Sequence, residues 1–255
     1  MNTGLALSGG GARCFSHLGM MQALSERGIE FAYLSATSGG SLVAAFYCAG
    51  YSPIETLRVF QSVNLMKLLK PALSWRGLLN LENASSLLAS HLPSDFSKLK
   101  LPLIVSATNV EQGRVRYFDE GPLIRALLAS CAIPLVFDPV VVDGTAYIDG
   151  GITDNLPVAP LRKKADQVVA MHCNPIEADF RTTNWKNLME RSLLVSITTA
   201  TYASKGLCDV FMEPTEVGRY KIFDVKKSNE IYKLGYDYAL RQFDENEFLR
   251  KIAQV

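Results

Sequence analysis

Short apolar segments alternate with helical segments along most of this chain, and this alternation constrains its fold more than any other feature. Residues 5–7, 31–36 and 167–173 are short and largely apolar, as expected for strands buried on both faces of a sheet. Residues 42–49 give an apolar helical pattern, and residues 184–204 give a longer one. Strands that alternate with helices predict an α/β protein with helices on both faces of its sheet.

Weaker signals predict the remaining elements. Asp143-Gly144 lies between two apolar runs and is typical of a two-residue hairpin turn. We expect further strands at residues 101–110, 114–118, 140–142, 145–148 and 208–212, and further helices at residues 53–92, 122–131 and 228–243.

The length and charge of the chain narrow its organisation and its partners. Its 255 residues show no repeat, low-complexity segment or linker, so we expect one domain over residues 1–255. The formal net charge is only +1, which argues against nucleic acid as a partner.

The cysteines and the N-terminal segment indicate where the protein resides. The five cysteines are widely spaced, with no CxxC or CxxxH pattern, so we expect no metal site. Their mostly apolar surroundings suit free thiols in a reducing compartment. The chain starts without the basic and apolar regions of a signal peptide, and no apolar run is long enough to span a membrane. We therefore expect a cytoplasmic protein.

A serine lies directly between the second predicted strand and an apolar helix, in the sequence Ala36-Thr37-Ser38-Gly39-Gly40. A sharp strand-to-helix turn would hold Ser38 in a strained conformation and project its hydroxyl from the edge of the sheet. Small residues are needed two positions before and after such a serine, because the two backbones pass close together. Gly40 meets this requirement, and Ala36 adds one methyl group. The pattern predicts a nucleophile; the alternative is a flexible turn or a helix cap.

Residues 8–13, with the sequence Ser-Gly-Gly-Gly-Ala-Arg, join the first predicted strand to a helix. Glycines leave backbone N–H groups accessible, and a helix N-terminus adds positive potential, so this loop can hold an oxyanion or a phosphate. Nucleotide binding is disfavoured, because Cys14 stands at the third glycine of a dinucleotide fingerprint and no Gly-Lys-Ser/Thr is present. A tight turn without a ligand is the plain alternative.

An aspartate followed by two glycines, Asp149-Gly150-Gly151, ends the strand that leaves the predicted hairpin. Capping a turn is the commoner role of Asp-Gly. A carboxylate at a strand end can instead face a nucleophile, and the sequence leaves both roles open at this point.

Taken together, these three motifs resemble those of the patatin-like phospholipases, and the chain is most similar to small, single-domain bacterial members of that family. The similarity covers roughly residues 4–173. It extends to flanking segments at residues 17–19, 130–134, 147–148 and 155–158, with the sequences His-Leu-Gly, Ser-Cys-Ala-Ile-Pro, Tyr-Ile and Asn-Leu-Pro-Val.

The resemblance implies a three-layer α/β/α patatin-like fold with a mostly parallel central sheet. It also implies a Ser–Asp dyad, in which Ser38 is the nucleophile and Asp149 accepts its proton. The backbone N–H groups of Gly9, Gly10 and Gly11 would form the oxyanion hole.

Four further residues have a supporting role in this interpretation. Gly40, Gly150 and Gly151 would permit close backbone approach at the two turns. Arg13 would orient the glycine-rich loop or meet an anionic head group, although a surface salt bridge is the favoured alternative for it. The implied activity is hydrolysis of lipid or fatty-acyl esters through an acyl-enzyme, as in a phospholipase, lysophospholipase or carboxylesterase, without a cofactor.

Three other functional interpretations remain. The chain could be a non-catalytic lipid- or acyl-binding protein, for which Ala36 is the only support, or an acyltransferase that uses the same dyad. A Ser–His–Asp triad would need His172, and the order Ser38, Asp149, His172 matches the α/β-hydrolases. That fold places several strands before its serine, whereas at most two precede Ser38, so we expect His172 to be a core residue.

Residues 62–82 combine leucines and Trp75 with Lys67, Lys70 and Arg76. Packing of the leucines on the core is the favoured interpretation. The alternative is a lid or a patch that makes peripheral contact with a membrane, with the tryptophan and the cations at the level of the head groups.

Overall fold

The structure, a computed structural model, describes residues 1–62, 70–71, 77–80, 82–176, 180–181 and 184–253. The strands are β1 (Thr3–Leu7), β2 (Tyr33–Thr37), β3 (Lys70–Pro71), β4 (Gly77–Asn80), β5 (Leu103–Asn109), β6 (Arg114–Phe118), β7 (Leu135–Phe137), β8 (Val140–Val142), β9 (Thr145–Asp149), β10 (Gln167–Met171) and β11 (Val210–Met212). The helices are α1 (Phe15–Glu26), α2 (Ser38–Ala49), α3 (Pro53–Ser62), α4 (Glu82–His91), α5 (Leu123–Ser130), α6 (Val158–Leu161), α7 (Trp185–Ser204), α8 (Ser228–Glu245) and α9 (Glu247–Ile252).

An eight-stranded, mostly parallel sheet forms the centre of the fold. Strands β11, β10, β1, β2 and β5 lie side by side and are all parallel. Strand β6 runs antiparallel along one edge of β5, and the hairpin β8–β9 completes the sheet. Parallel strands connected by helices require both faces of the sheet to be covered. The predicted α/β class with a mostly parallel central sheet is therefore confirmed.

Two apolar cores lie on opposite faces of this sheet. In β1, Leu5 and Leu7 belong to the larger core, which also contains side chains of α1, α2, α5 and α8. Ala6, between them in sequence, belongs to a smaller core that includes Val158 and Leu161 of α6. This alternation follows from the two-residue side-chain period of a strand. It produces the three layers that the family resemblance implies.

Helices α1 and α8 cross at a very short distance because each carries a glycine at the crossing. A Cβ atom on Gly19 would lie 2.0 Å from the carbonyl oxygen of Tyr232, and one on Gly235 would lie 2.1 Å from that of Ser16. The crossing anchors the C-terminal helix on α1, and α1 follows directly after the glycine-rich loop.

The continuous helical character expected for residues 53–92 is only partly correct. Helices α3 and α4 lie at its two ends, but β3 and β4 lie between them and pair with β7 in a small second sheet. Because β7 is more than fifty residues from β4 in sequence, no local pattern identifies this pairing. Most of segment 62–82, the predicted lid or membrane patch, lies outside the described residues. No helix among the described residues combines the length and hydropathy needed to cross a membrane.

Candidate active site

Ser38 occupies a strained turn between β2 and α2. Its φ angle is +51°, in the left-handed region that a residue with a Cβ rarely adopts. Two serine hydroxyls hold the turn: Ser130 Oγ accepts a hydrogen bond from the Ser38 N–H at 2.8 Å, and Ser41 Oγ donates to the Ser38 carbonyl at 2.6 Å. The geometry is that of a nucleophile elbow.

The residues on either side of this elbow fit the close approach of strand and helix. A Cβ atom on Gly40 would lie 2.4 Å from the carbonyl oxygen of Ser8, so only glycine fits there. Ala36 is fully buried in β2, and its methyl group is accommodated without preventing the turn.

Asp149 reaches Ser38 because two strands meet head to head along one edge of β5. On that edge Thr37, the last residue of β2, pairs with Ser106, and Asp149, the last residue of β9, pairs with the next residue, Ala107. Strand β6 pairs with both Ser106 and Ala107, so it occupies the opposite edge. Since β2 and β9 run towards each other, their carboxyl ends meet, and each chain must turn away at once.

The two side chains form a direct hydrogen bond at this meeting point. Ser38 Oγ donates to Asp149 Oδ2 at 2.6 Å, and the Gly151 N–H donates to Asp149 Oδ1 at 2.8 Å. Asp149 is only 7% exposed. Burial raises its pKa to about 6, although both hydrogen bonds favour the carboxylate. The carboxylate is therefore ionised at neutral pH yet basic enough to accept a proton.

Two glycines after Asp149 allow the chain to turn. A Cβ atom on Gly150 would lie 2.3 Å from the carbonyl oxygen of Ser106. The Asp149 N–H donates to the carbonyl oxygen of Ala132 at 2.9 Å, which places residues 130–134 beside the site. These contacts explain why Asp149, Gly150 and Gly151 occur together in the sequence.

The glycine-rich loop lies directly against Ser38. A Cβ atom on Gly9 would lie 2.9 Å from the Cβ of Ser38, so glycine is needed there. The Gly9 N–H already donates to the carbonyl oxygen of Asn155 at 3.2 Å, and the Ala12 N–H donates to that of Ile222 at 2.8 Å. No hydrogen bond from the N–H of Gly10 or Gly11 is found to any described residue. Two donors thus remain for an oxyanion, and the pairing of Gly9 removes it from that role.

Arg13 and Asn174 fix the loop from the side away from Ser38. Arg13 Nε donates to the carbonyl oxygen of Tyr220 at 2.7 Å, and its Nη2 donates to that of Gly218 at 2.9 Å. Asn174 Nδ2 donates to the carbonyl oxygen of Gly9 at 2.6 Å. Of the roles considered for Arg13, these contacts favour orientation of the loop over a surface salt bridge.

His172 has partners of its own, away from the dyad. It is fully buried, its Nδ1 lies 2.6 Å from Glu213 Oε1, and its ring packs against Tyr202 and Phe211. The carboxylate of Asp149 is already engaged by Ser38 and Gly151. The structure therefore forms no Ser–His–Asp triad from Ser38, His172 and Asp149.

Three residues of the site escape the sequence motifs. Ser130 and Asn155 lie in segments that the resemblance already includes, but their contacts with Ser38 and Gly9 could not be assigned from sequence. Asn174 follows a buried strand, and its position at the end of β10, next to β1, is its only signal.

Comparison with known proteins agrees with this geometry. The model of the family described as patatin-like phospholipase matches residues 5–162, which is more than half of the chain and includes both Ser38 and Asp149. The chain belongs to the patatin-like phospholipase family. An uncharacterized NTE family protein of Mycobacterium tuberculosis is 35% identical over 199 residues, which are 74% of this chain and 55% of that protein.

More distant patatin-like relatives share the same architecture. A lysophospholipase NTE1 of Scheffersomyces stipitis is 26% identical over 280 residues, covering 94% of this chain and 18% of that protein. The crystal structure of VipD from Legionella pneumophila superposes with a TM-score of 0.64 at 16% identity, over 96% of this chain and 67% of that one, which shows a common fold. The chain spans about half the length of the mycobacterial relatives it matches.

Proposed function

We propose that this protein is a lipid acyl hydrolase in which Ser38 and Asp149 form a catalytic dyad. The observation that carries the proposal is the 2.6 Å hydrogen bond from a serine in a strained strand-to-helix turn to a buried carboxylate. A hydroxyl becomes nucleophilic when an adjacent base accepts its proton, and Asp149 is placed to be that base.

The reaction proceeds through an acyl-enzyme. Ser38 Oγ attacks the ester carbonyl as its proton moves to Asp149, and the tetrahedral intermediate then expels the alcohol, which takes the proton back from Asp149. Water attacks the acyl-enzyme in the second half, again losing a proton to Asp149, and the fatty acid leaves as Ser38 is protonated. The N–H groups of Gly10 and Gly11 stabilise the oxyanion; a single such donor is worth about 10²–10³ in rate.

Apolar side chains beside the dyad support a fatty-acyl substrate. Ile152 follows Gly151 directly, and Ile222 accepts the Ala12 hydrogen bond beside the glycine-rich loop. Ile222 and Phe223 are both partly exposed, although large apolar side chains are usually buried. An exposed apolar rim suits an acyl chain better than a polar ester. The names of the relatives agree with this choice of substrate class.

The organisation of the whole chain follows from the same proposal. We expect residues 1–255 to act as one catalytic domain, since the dyad, the loop and the helix α8 that anchors α1 come from all parts of the sequence. Peripheral contact with a membrane through segment 62–82 stays a prediction.

A matched set of variants tests the dyad. We expect wild-type protein to hydrolyse p-nitrophenyl esters or lysophospholipid vesicles, Ser38→Ala to lose at least about 10³-fold in kcat/KM, and Asp149→Asn to lose about 10²–10⁴-fold. Asp143→Asn is the control, because Asp143 lies at a hairpin turn with a φ of +49°, which asparagine tolerates. A fluorophosphonate should label wild type and not Ser38→Ala.

The alternatives give different results in the same experiments. A binding protein would bind fatty acid but would neither turn over nor be labelled. An acyltransferase would be labelled but would transfer the acyl group to an added alcohol in preference to water. A triad would be indicated if folded His172→Ala lost turnover as completely as Asp149→Asn.

A further inference from the structure

A cluster of two thiols and an imidazole lies beneath the glycine-rich loop. Cys14 and His17 are one helical turn apart at the start of α1, and Cys173 follows β10. Because β1 and β10 are adjacent and parallel, the segments that follow both strands emerge at the same edge of the sheet. All three side chains are buried, and one donor atom from each lies within 4.8 Å of the other two.

The distances between the donors match those of a tetrahedral metal site. A zinc ion with Zn–S bonds of about 2.3 Å requires two sulfurs about 3.8 Å apart. The Sγ atoms of Cys14 and Cys173 are 3.8 Å apart. Ser8 provides oxygen on the open side: its carbonyl oxygen lies 3.5 Å from Cys14 Sγ, and its Oγ lies 3.5 Å from Cys173 Sγ. Three protein donors and an adjacent oxygen make up a four-coordinate set.

The imidazole of His17 is incompletely satisfied without a cation. Its Nε2 lies 3.0 Å from the carbonyl oxygen of Ser8, whereas its Nδ1 is buried and has no hydrogen-bond partner. A buried polar atom without a partner costs about 1–3 kcal/mol and needs an explanation. Histidines that bind metals commonly hold a backbone carbonyl with their second nitrogen, as His17 holds that of Ser8.

The electrostatics of the cluster also favour a divalent cation. Two thiolates and a neutral imidazole would exactly balance a 2+ charge, so the complex could stay buried without leaving a net charge. At Cys173, burial opposes ionisation, but the hydrogen bond from Cys14 and the nearby His17 hold its pKa well below the usual range. Cys173 is therefore the thiol that ionises first.

We propose that Cys14, His17 and Cys173 bind a zinc ion, with a Ser8 oxygen at the fourth position. Binding displaces one proton from each thiol to solvent, and no electron is transferred. The site lies behind the oxyanion loop and is closed to solvent, so the ion is structural. It would tie the ends of β1 and β10 together, and with them Ser8 and Gly9.

Metal content and cobalt spectroscopy test this site without reference to activity. Protein expressed in zinc-supplemented medium and purified with reductant but no chelator should contain one zinc per chain. Protein refolded with Co²⁺ should show thiolate-to-cobalt charge-transfer absorption in the near ultraviolet. Cys173→Ser should lower zinc affinity by at least about 100-fold and abolish that band, since it removes a ligand directly, a larger change than loss of a supporting contact.

Matched variants guard against misfolding and non-specific thiol binding. Cys48→Ser removes an equally buried thiol in α2 and should retain full metal content. Cys14→Gly introduces the residue that this family often has after the arginine, so it should fold and still fail to bind. The proposal is overturned if reduced wild type holds no stoichiometric metal, if Cys173→Ser binds as wild type does, or if Cys14 and Cys173 are found joined in a disulfide.

Discussion

The two strand ends that meet on the edge of β5 present their reacting groups in different ways. Ser38 ends the parallel strand β2, is uncharged, and has a backbone strained to a φ of +51°. Asp149 ends the antiparallel strand β9 with a relaxed φ of −47°, but its carboxyl group is buried with a pKa raised to about 6. One end therefore stores conformational strain and the other stores desolvation of a charge. Active sites commonly retain both kinds of cost.

The two ends also share one requirement, a glycine where the chain turns away, and its loss should give the largest effects. Gly40→Ala and Gly150→Ala would each place a Cβ within 2.4 Å of a backbone oxygen, of Ser8 and Ser106 respectively. We expect each to destabilise the protein by about 3 kcal/mol or more in urea denaturation, because backbone must shift to relieve the overlap.

Gly206→Ala is the matched control for these two variants. A Cβ atom there would meet nothing within 4 Å, and its φ is not positive, so stability should change by less than about 0.5 kcal/mol. If Gly40→Ala or Gly150→Ala were as stable as the control, the tight meeting of the two strand ends would be wrong.

The sequence predicted these local features because each is encoded within a few residues. Ser38 with Gly40, and Asp149 with Gly150, reveal themselves by small residues at a predicted strand end. The alternation of strands and helices gave the α/β class. The pairing of β4 with β7 and the contact between Asn174 and Gly9 were not predicted, because neither is marked by a local pattern.

The meeting of Ser38 with Asp149 lies between these cases. Sequence motifs suggested the pair only through family resemblance, since nothing in either motif says that β2 and β9 share an edge of β5. The cluster of Cys14, His17 and Cys173 shows the same limit: its third member lies 159 residues from the first. Spacing rules for metal ligands find only donors that are near in sequence.

The stored costs should respond differently to pH when they are removed. Asp149→Asn removes the charge, so it should stabilise the protein by about 2–3 kcal/mol at pH 8, where the carboxylate is ionised in both folded and unfolded states. The gain should shrink as the pH falls through about 6 and vanish near pH 4, below which wild-type Asp149 is neutral in both states. Thermal denaturation at several pH values measures this.

Ser38→Gly provides the comparison at the other strand end. Glycine adopts a positive φ freely, so this variant should gain about 1 kcal/mol with no dependence on pH. A pH-independent gain for Asp149→Asn, or none, would mean that burial of the carboxylate carries no cost.

Catalysis should reveal the same ionisation. Since Asp149 accepts a proton only as a carboxylate, kcat/KM for a neutral ester should fall about tenfold per pH unit below about 6 and level off above it. Initial rates over pH 4.5–8.5 measure the limb, with a permanently neutral substrate so that the enzyme alone titrates. A limb near 4 would mean that the site is more solvated than its burial indicates.

The smallest effect is expected beside the elbow, at Ala36. Ala36→Gly removes a buried methyl and loosens the end of β2, so it should destabilise the protein by about 1 kcal/mol. Because the turn at Ser38 already forms with alanine in place, kcat/KM should change by less than about threefold. A large gain in turnover on Ala36→Gly, from a wild type that is nearly inactive, would instead favour a binding protein whose elbow the methyl group disables. The comparison thus assigns the strain at Ser38 to its own backbone and to the contact of Gly40 with Ser8, not to the alanine that precedes it.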